Sequence, residues 1–181
     1  EGENKWVECL QYLQRREIPP KNVLERWKTY GNDSPELIPP YIQEDYSTLE
    51  NRMAYLETSR GCPYLCSFCL SALDKTVRYF DNGLIQWQIE RLVASGVKTI
   101  KFIDRTFNIQ GKRMLDWMHW LTRFERISFH FEVVGDLLGE EVLGFLDTVP
   151  RGMFQFEIGV QTTGEEGQAV IKRKQNNDRL F

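Results

Sequence analysis

Three of the four cysteines in this 181-residue chain stand within eight positions, in Gly61-Cys62-Pro63-Tyr64-Leu65-Cys66-Ser67-Phe68-Cys69. Clustered thiols favour metal binding or catalysis over disulfides. Separated by three and then two residues on a loop leaving a strand, they can converge on one soft metal centre and supply three ligands. The count limits the chemistry. A structural zinc site closes its sphere with four protein ligands, and the other soft or borderline donors, Cys9, His119 and His130, are remote in sequence. A bare Cys66-x-x-Cys69 redox pair leaves Cys62 unexplained. Zinc completed by a distant ligand and a metal centre with one open position both stay open on the motif alone.

A second set of reactive side chains is defined by alternation. In 127–133 and 154–161, Ser128, His130, Glu132, Gln155, Glu157 and Gln161 interleave with apolar residues, so one strand face is apolar and the other titratable. Leu56 and Glu57 follow the same parity, Leu56 outward and Glu57 inward. Asp104 is in phase with the apolar Ile100 and Phe102 and is therefore placed just beyond its strand. Two like charges about 4 Å apart repel by about 4 kcal/mol at an effective dielectric near 20. A wall carrying Glu57, Glu132 and Glu157 thus needs a cation, for which Arg60 and Arg105 are the candidates. His130 is expected to be an interior histidine with its partners satisfied, and Lys172-Arg173-Lys174 a solvated helix face.

These side chains need a scaffold that brings strand ends together. Runs 53–58, 97–103, 127–134 and 153–160 read as strands, alternating with helical patterns strongest at Ile85, Ile89, Leu92, Val93 and at Met114, Trp117, Met118, Leu121. Weaker helical runs follow at 139–148 and after 164, and Gly96 is placed as a helix C-terminal cap. The alternation predicts an α/β fold with a parallel sheet. Parallel strands covered by helices on both sides should be apolar on both faces. A titratable face therefore implies a partial or open (β/α) barrel with a wet interior.

Residues 1–50 have a different texture. Trp6, Leu10 and Leu13, with Cys9 beside them, predict a short helix ending at Ile18-Pro19-Pro20. Val23, Leu24 and Trp27 predict a further turn or two, and 34–41 a proline-marked connector. The expected organisation is a helical linker over 1–50 followed by a core over 51–181. The chain opens at Glu1 without methionine and stops soon after a charged stretch, so a piece of a longer protein is expected.

Composition sets the outer limits. With 41% hydrophobic and 13% aromatic residues the chain can bury a core, which excludes a disordered tail. Twenty-three Lys and Arg against 26 Asp and Glu leave a net charge of −3 and no nucleic-acid footprint. No apolar run approaches the roughly 18–20 residues of a membrane span, and no leader opens the sequence, so a cytoplasmic protein without a membrane partner is expected.

The pattern Cys-x3-Cys-x-aromatic-Cys directly after a first strand resembles the radical S-adenosylmethionine (SAM) enzymes, over roughly residues 50–175. That resemblance implies that Cys62, Cys66 and Cys69 hold three irons of a 4Fe-4S cluster. SAM would chelate the fourth iron and be cleaved reductively to methionine and a deoxyadenosyl radical. Phe68 would lie beside adenine, and the inward carboxylates, Glu132 among them, would face the SAM sulfonium and ammonium. Phe156-Glu157-Ile158-Gly159-Val160-Gln161-Thr162 resembles the fourth-strand segment that in several radical SAM groups contacts the SAM ribose or amino acid moiety, which implicates Glu157 and Gln161. The family's Gly-Gly-Glu type motif is absent. In its place stands 102–108, with Asp104 as the candidate for the SAM ammonium or, alternatively, a helix-capping residue. Glu57, several residues before the cysteine loop and therefore placed deeper along its strand, is expected in a salt-bridged interior network.

The run Met53 to Lys174, headed by Tyr55-Leu56-Glu57-Thr58-Ser59-Arg60-Gly61-Cys62, resembles radical SAM proteins that carry an N-terminal cobalamin-binding domain. Residues 1–50 resemble the linker between that domain and the core. No Asp-x-His-x-x-Gly motif is present, so any cobalamin ligands would lie upstream of Glu1. The resemblance also implies a barrel cut after about four βα units, an electron donor such as flavodoxin or ferredoxin, and an unknown, for example small-molecule, substrate. Its rivals are a methylthiotransferase acting on tRNA and a non-catalytic zinc or iron-sulfur binding module.

Overall fold

The computed structural model describes residues 2–21, 41 and 46–181. The chain divides into two compact units, Glu1–Ile42 and Gln43–Phe181. The first contains helix α1 (Gly2–Gln14), on which Trp6 and Leu13 are half exposed and Cys9 is buried. The turn expected at Val23 to Trp27 and most of the connector after Ser34 lie outside the described residues.

In the second unit four parallel strands form one sheet: β1 (Met53–Leu56), β4 (Thr99–Phe102), β5 (Ser128–Val133) and β6 (Phe154–Ile158), adjacent in that order. Every neighbour in the sheet is the next of these strands in the chain. That is the order of a barrel wall opened flat, whereas a doubly wound sheet reverses order at a switch point. The partial (β/α) barrel expected from the alternation is present. A short antiparallel pair, β2 (Ser59–Arg60) with β3 (Arg78–Tyr79), was not legible as strands because each has only two residues.

Helices α2 (Asn82–Ala94) and α3 (Gly111–Leu121) link the first three wall strands, and α4 (Glu140–Leu146) precedes β6. Asp81 caps α2, accepting from the Leu84 N–H at 2.8 Å. The helix terminates at Ser95 and at Gly96, whose φ of +86° is a conformation glycine adopts without penalty. Asn51 donates its N–H to the Gly96 carbonyl, Lys98 donates to Arg52, and Arg91 lies over the Tyr46 ring, so residues 46–52 belong to the core.

Burial alternates down β5 as the sequence pattern requires, with Phe129, Phe131 and Val133 buried and Ser128, His130 and Glu132 partly open. On the apolar side, Phe102 stacks on Phe131 at 4.9 Å between ring centroids, and Phe107 packs against both. Ile85, Ile89 and Leu92 of α2 and Met114, Met118 and Leu121 of α3 are also buried, supplying the cover this face requires. Met118→Ala is expected to lower unfolding stability by about 2–5 kcal/mol, against under about 0.5 kcal/mol for half-exposed Leu143→Ala, read from denaturant midpoints.

Candidate functional site

The cysteines lie on a long excursion between β2 and β3, and the chain closes its base in four ways. The β2–β3 ladder pairs Ser59 with Tyr79 and Arg60 with Arg78. The Cys62 N–H donates to the Asp74 carbonyl at 2.9 Å, and Arg78 forms a two-point ion pair with the Asp74 carboxylate, closest at 2.6 Å. Gly61 supplies the fourth closure. Its φ is +97°, and a Cβ there would lie 2.1 Å from the Thr76 carbonyl oxygen, so the two arms meet at a distance only glycine allows. Within the loop, the Ser67 N–H donates to the Ile171 carbonyl, fastening the turn between Cys66 and Cys69 to the segment after α5 (Glu165–Val170).

The loop faces a cavity of about 230 Å³ at the carboxyl ends of the wall strands. Cys62, Cys66 and Cys69 all line it, together with Phe68, Glu132, Glu157 and Gln161. Seven of the eight side chains expected at the site are thus gathered around one space. Cys62 and Cys66 are buried and Cys69 is exposed. A hydrogen bond from Ser71, aided by the Arg105 guanidinium, draws the Cys69 thiol below its ordinary pKa, which favours the thiolate a metal needs.

The donor set fits a cluster. A four-iron cluster sets each thiolate on a different iron, so the sulfurs need only face a common space.

Asp104 is the exception among the expected residues. It is 1% exposed and does not line the cavity. Its carboxylate accepts from the Thr58 N–H at 2.9 Å, the Thr58 hydroxyl at 2.7 Å and the Ser59 hydroxyl at 2.6 Å. Burial raises its pKa, and these donors oppose the rise. The residue ties the exit of β1 to the exit of β4; it caps no helix, and its position does not support the role of ammonium ligand. Asn108 anchors the other end of the same segment, donating to the Val134 carbonyl and accepting the Val134 N–H. Held between these anchors, Arg105 and Thr106 line the cavity, with the Thr106 hydroxyl 3.9 Å from the Cys62 sulfur.

The expected Arg60 serves only Glu57, and the cation beside Glu132 and Glu157 is Lys101. Lys101 of β4 places its Nζ 2.8 Å from Glu157 and 3.6 Å from Glu132, and His130 Nε2 is 3.4 Å from Glu157. The Lys101 hydrogen bond holds the Glu157 pKa below the usual carboxylate range. Glu57 pairs with Arg60 at 2.5 Å, the salt-bridged arrangement expected of it. It is not deeper than its counterparts. The register aligns Leu56, Phe102, Phe131 and Phe156, so Glu57, one residue past β1, is level with Glu132 and Glu157.

Arg173 and Lys174 also line the cavity, where a solvated helix face was expected. Helix α5 ends at Val170 and Lys172 has a φ of +54°, so the chain turns back and carries the two cations to the cavity rim. Arg173 donates to the Gly159 carbonyl and to Gln175. A second cavity of about 590 Å³ shares Phe68 and Gln161 with the first and is lined also by Val170 and Ile171.

The sequence model of the radical SAM superfamily matches residues 56–181, from the end of β1 through the last described helix. The chain belongs to the radical SAM superfamily. Curated relatives of this radical SAM chain carry transferase names. An uncharacterized methyltransferase of Pyrococcus horikoshii is 30% identical over 121 residues, which is 63% of this chain and 26% of that protein. The cobalamin-dependent radical SAM methyltransferase TokK of Streptomyces tokunonensis is 41% identical over 61 residues, 33% of this chain and 9% of TokK. The ribosomal protein uS12 methylthiotransferase RimO of Methylococcus capsulatus is 34% identical over 77 residues, 42% of this chain and 17% of RimO. The alignments thus span about a quarter or less of each relative's length. Membership supports an enzyme, and no described helix is long and apolar enough to cross a membrane.

Proposed function

We propose that the chain is the cluster-bearing part of a radical SAM enzyme, in which Cys62, Cys66 and Cys69 hold a 4Fe-4S cluster and the adjoining walls hold SAM. The observation that carries this reading is the single cavity that joins three thiols to a bipolar lining. Glu132 and Glu157 stand on the strand wall, while Arg105, Arg173 and Lys174 stand on the rim. A ligand with a carboxylate at one end and cationic groups beside it complements that separation of charge. The cluster and SAM together supply reductive cleavage of SAM to methionine and a deoxyadenosyl radical. The residues of the chain bind, orient and shield. Arg105, Arg173 and Lys174 would hold the methionine carboxylate, Glu132 and Glu157 would hold the ammonium and sulfonium, and Phe68 would offer a surface for the adenine ring. An electron donor such as flavodoxin or ferredoxin would reduce the cluster, and the substrate is unassigned.

The likeness to methyltransferases favours methyl transfer as the reaction of the whole protein, with cobalamin held by residues outside this chain. The likeness to RimO favours a second reading, methylthiolation. A methylthiotransferase would carry further cluster cysteines, so the iron content of the whole protein separates the two.

The SAM assignment is tested by calorimetry on the reconstituted protein. Glu157→Gln is expected to leave iron and sulfide content unchanged and to weaken SAM binding by about 1.5–3 kcal/mol, the range for a hydrogen bond to a charged group. Glu57→Gln is expected to do much less, because Glu57 is paired with Arg60 and does not line the cavity. Equal losses would show a diffuse electrostatic wall with no dedicated contact.

A further inference from the structure

We propose that Lys101 is a positioning residue that ties Glu132 and Glu157 into one clamp facing the cysteine loop. The proposal deepens the SAM reading and rests on it for the ligand, while the clamp itself rests on the geometry of the strand wall.

Glu132 and Glu157 are register partners on adjacent parallel strands, and like charges directly opposite one another destabilise a sheet. Lys101 is the register partner of His130, one strand away from β6, and its Nζ nevertheless lies closer to Glu157 than to Glu132. The lysine stem therefore crosses the inner face of β5 to reach the far carboxylate. Its side chain is 20% exposed and that of Glu157 57%, so the ammonium is drawn in while the carboxylate stays presented to the cavity.

The other charged groups around the clamp do not replace this contact. His130, from β5, is a cation only when protonated. Glu57, beyond β1, is paired with Arg60. Arg105, from the segment after β4, and Arg173 and Lys174, from the segment after α5, stand on the rim, where Arg173 is engaged by Gly159 and Gln175. The loop residues that line the cavity, Cys62, Tyr64, Cys66, Phe68 and Cys69, add no cation. Two carboxylates side by side on one wall repel, and Lys101 lies within reach of both. In agreement, hydrogen bonding between Lys101 and Glu157 raises the pKa of the lysine and lowers that of the glutamate. The sign follows from the lowered value. The clamp is intact above the ordinary carboxylate range and is lost as pH falls through the depressed pKa of Glu157.

The test has two arms. In the first, the side-chain carboxyl carbons of Glu132 and Glu157 are titrated by NMR in the full chain without cluster or SAM. In Lys101→Met, at least one midpoint is expected to rise by about one unit or more, as when an opposite charge is removed from hydrogen-bonding distance. Lys101→Arg is expected to restore it. In the second arm, SAM is titrated calorimetrically into reconstituted protein at pH 8 and pH 6. Lys101→Met is expected to lose about tenfold in affinity at both pH values, where the carboxylates stay ionised but are no longer held in place, with Lys101→Arg close to the parent. Unchanged carboxylate midpoints in Lys101→Met overturn the clamp. Shifted midpoints with parental SAM affinity at both pH values overturn its positioning role. If the parent protein shows the expected midpoints and binds no SAM, the clamp stands and the SAM reading is what fails.

Discussion

Replacing any one of Cys62, Cys66 or Cys69 with alanine is expected to remove nearly all cluster iron and sulfide after anaerobic reconstitution, whereas Cys9→Ala leaves both unchanged. The difference follows from placement. The three loop cysteines line one cavity, and Cys9 belongs to α1 in the other unit of the chain. Each loop thiolate would ligate its own iron, so losing one leaves a second iron without a protein ligand beside the one reserved for SAM. Iron and sulfide assays on the four single variants check this. Retention of a full complement in any loop variant would remove that cysteine from the ligand set.

Gly61→Ala is expected to have an effect of similar size without touching a ligand. The added methyl group meets the Thr76 carbonyl oxygen at 2.1 Å, and a φ of +97° is strained for any residue with a Cβ. The backbone must move, and it can move only by parting the two arms of the cysteine loop. That strains the bond from the Cys62 N–H to Asp74 and the β2–β3 ladder beneath it. A destabilisation of about 2–4 kcal/mol is expected, with reconstituted iron falling several-fold. Gly152→Ala is the control. Its φ is also positive, at +82°, but no atom lies within 4 Å of the added methyl group, so it tests backbone strain without collision. Measuring iron content and denaturant midpoint in both variants separates the two causes. Equal iron losses would show that the close approach at Thr76 does not govern the loop.

Local periodicity made the wall strands and their inward residues legible. Phe129 and Phe131 alternate with His130 and Glu132 because one face must meet helices and the other water, and that demand is written into neighbouring positions. The cysteine spacing is equally local. What escaped notice depends on where distant segments meet. Asp104 looked like a ligand because its own strand does not show that Thr58 and Ser59, 46 and 45 positions away, aim three donors at it. Parity puts Lys101 on the inner face, yet only the stacking of β4, β5 and β6 reveals that its stem spans a strand to reach Glu157. Arg173 and Lys174 read as the outside of a helix. The helix stops at Val170, and a residue with positive φ turns the pair inward. The level of Glu57 was misplaced for the same reason, since depth along a barrel is set by register between strands.

Electron paramagnetic resonance of the anaerobically reconstituted, reduced protein with and without SAM bears most directly on the assignment of a SAM-binding cluster. A cluster held by three cysteines keeps one iron open to SAM. About four irons and four sulfides per chain, with a reduced-cluster signal whose shape changes on adding SAM, are expected. One zinc per chain with no sulfide, or a cluster signal indifferent to SAM, would contradict it.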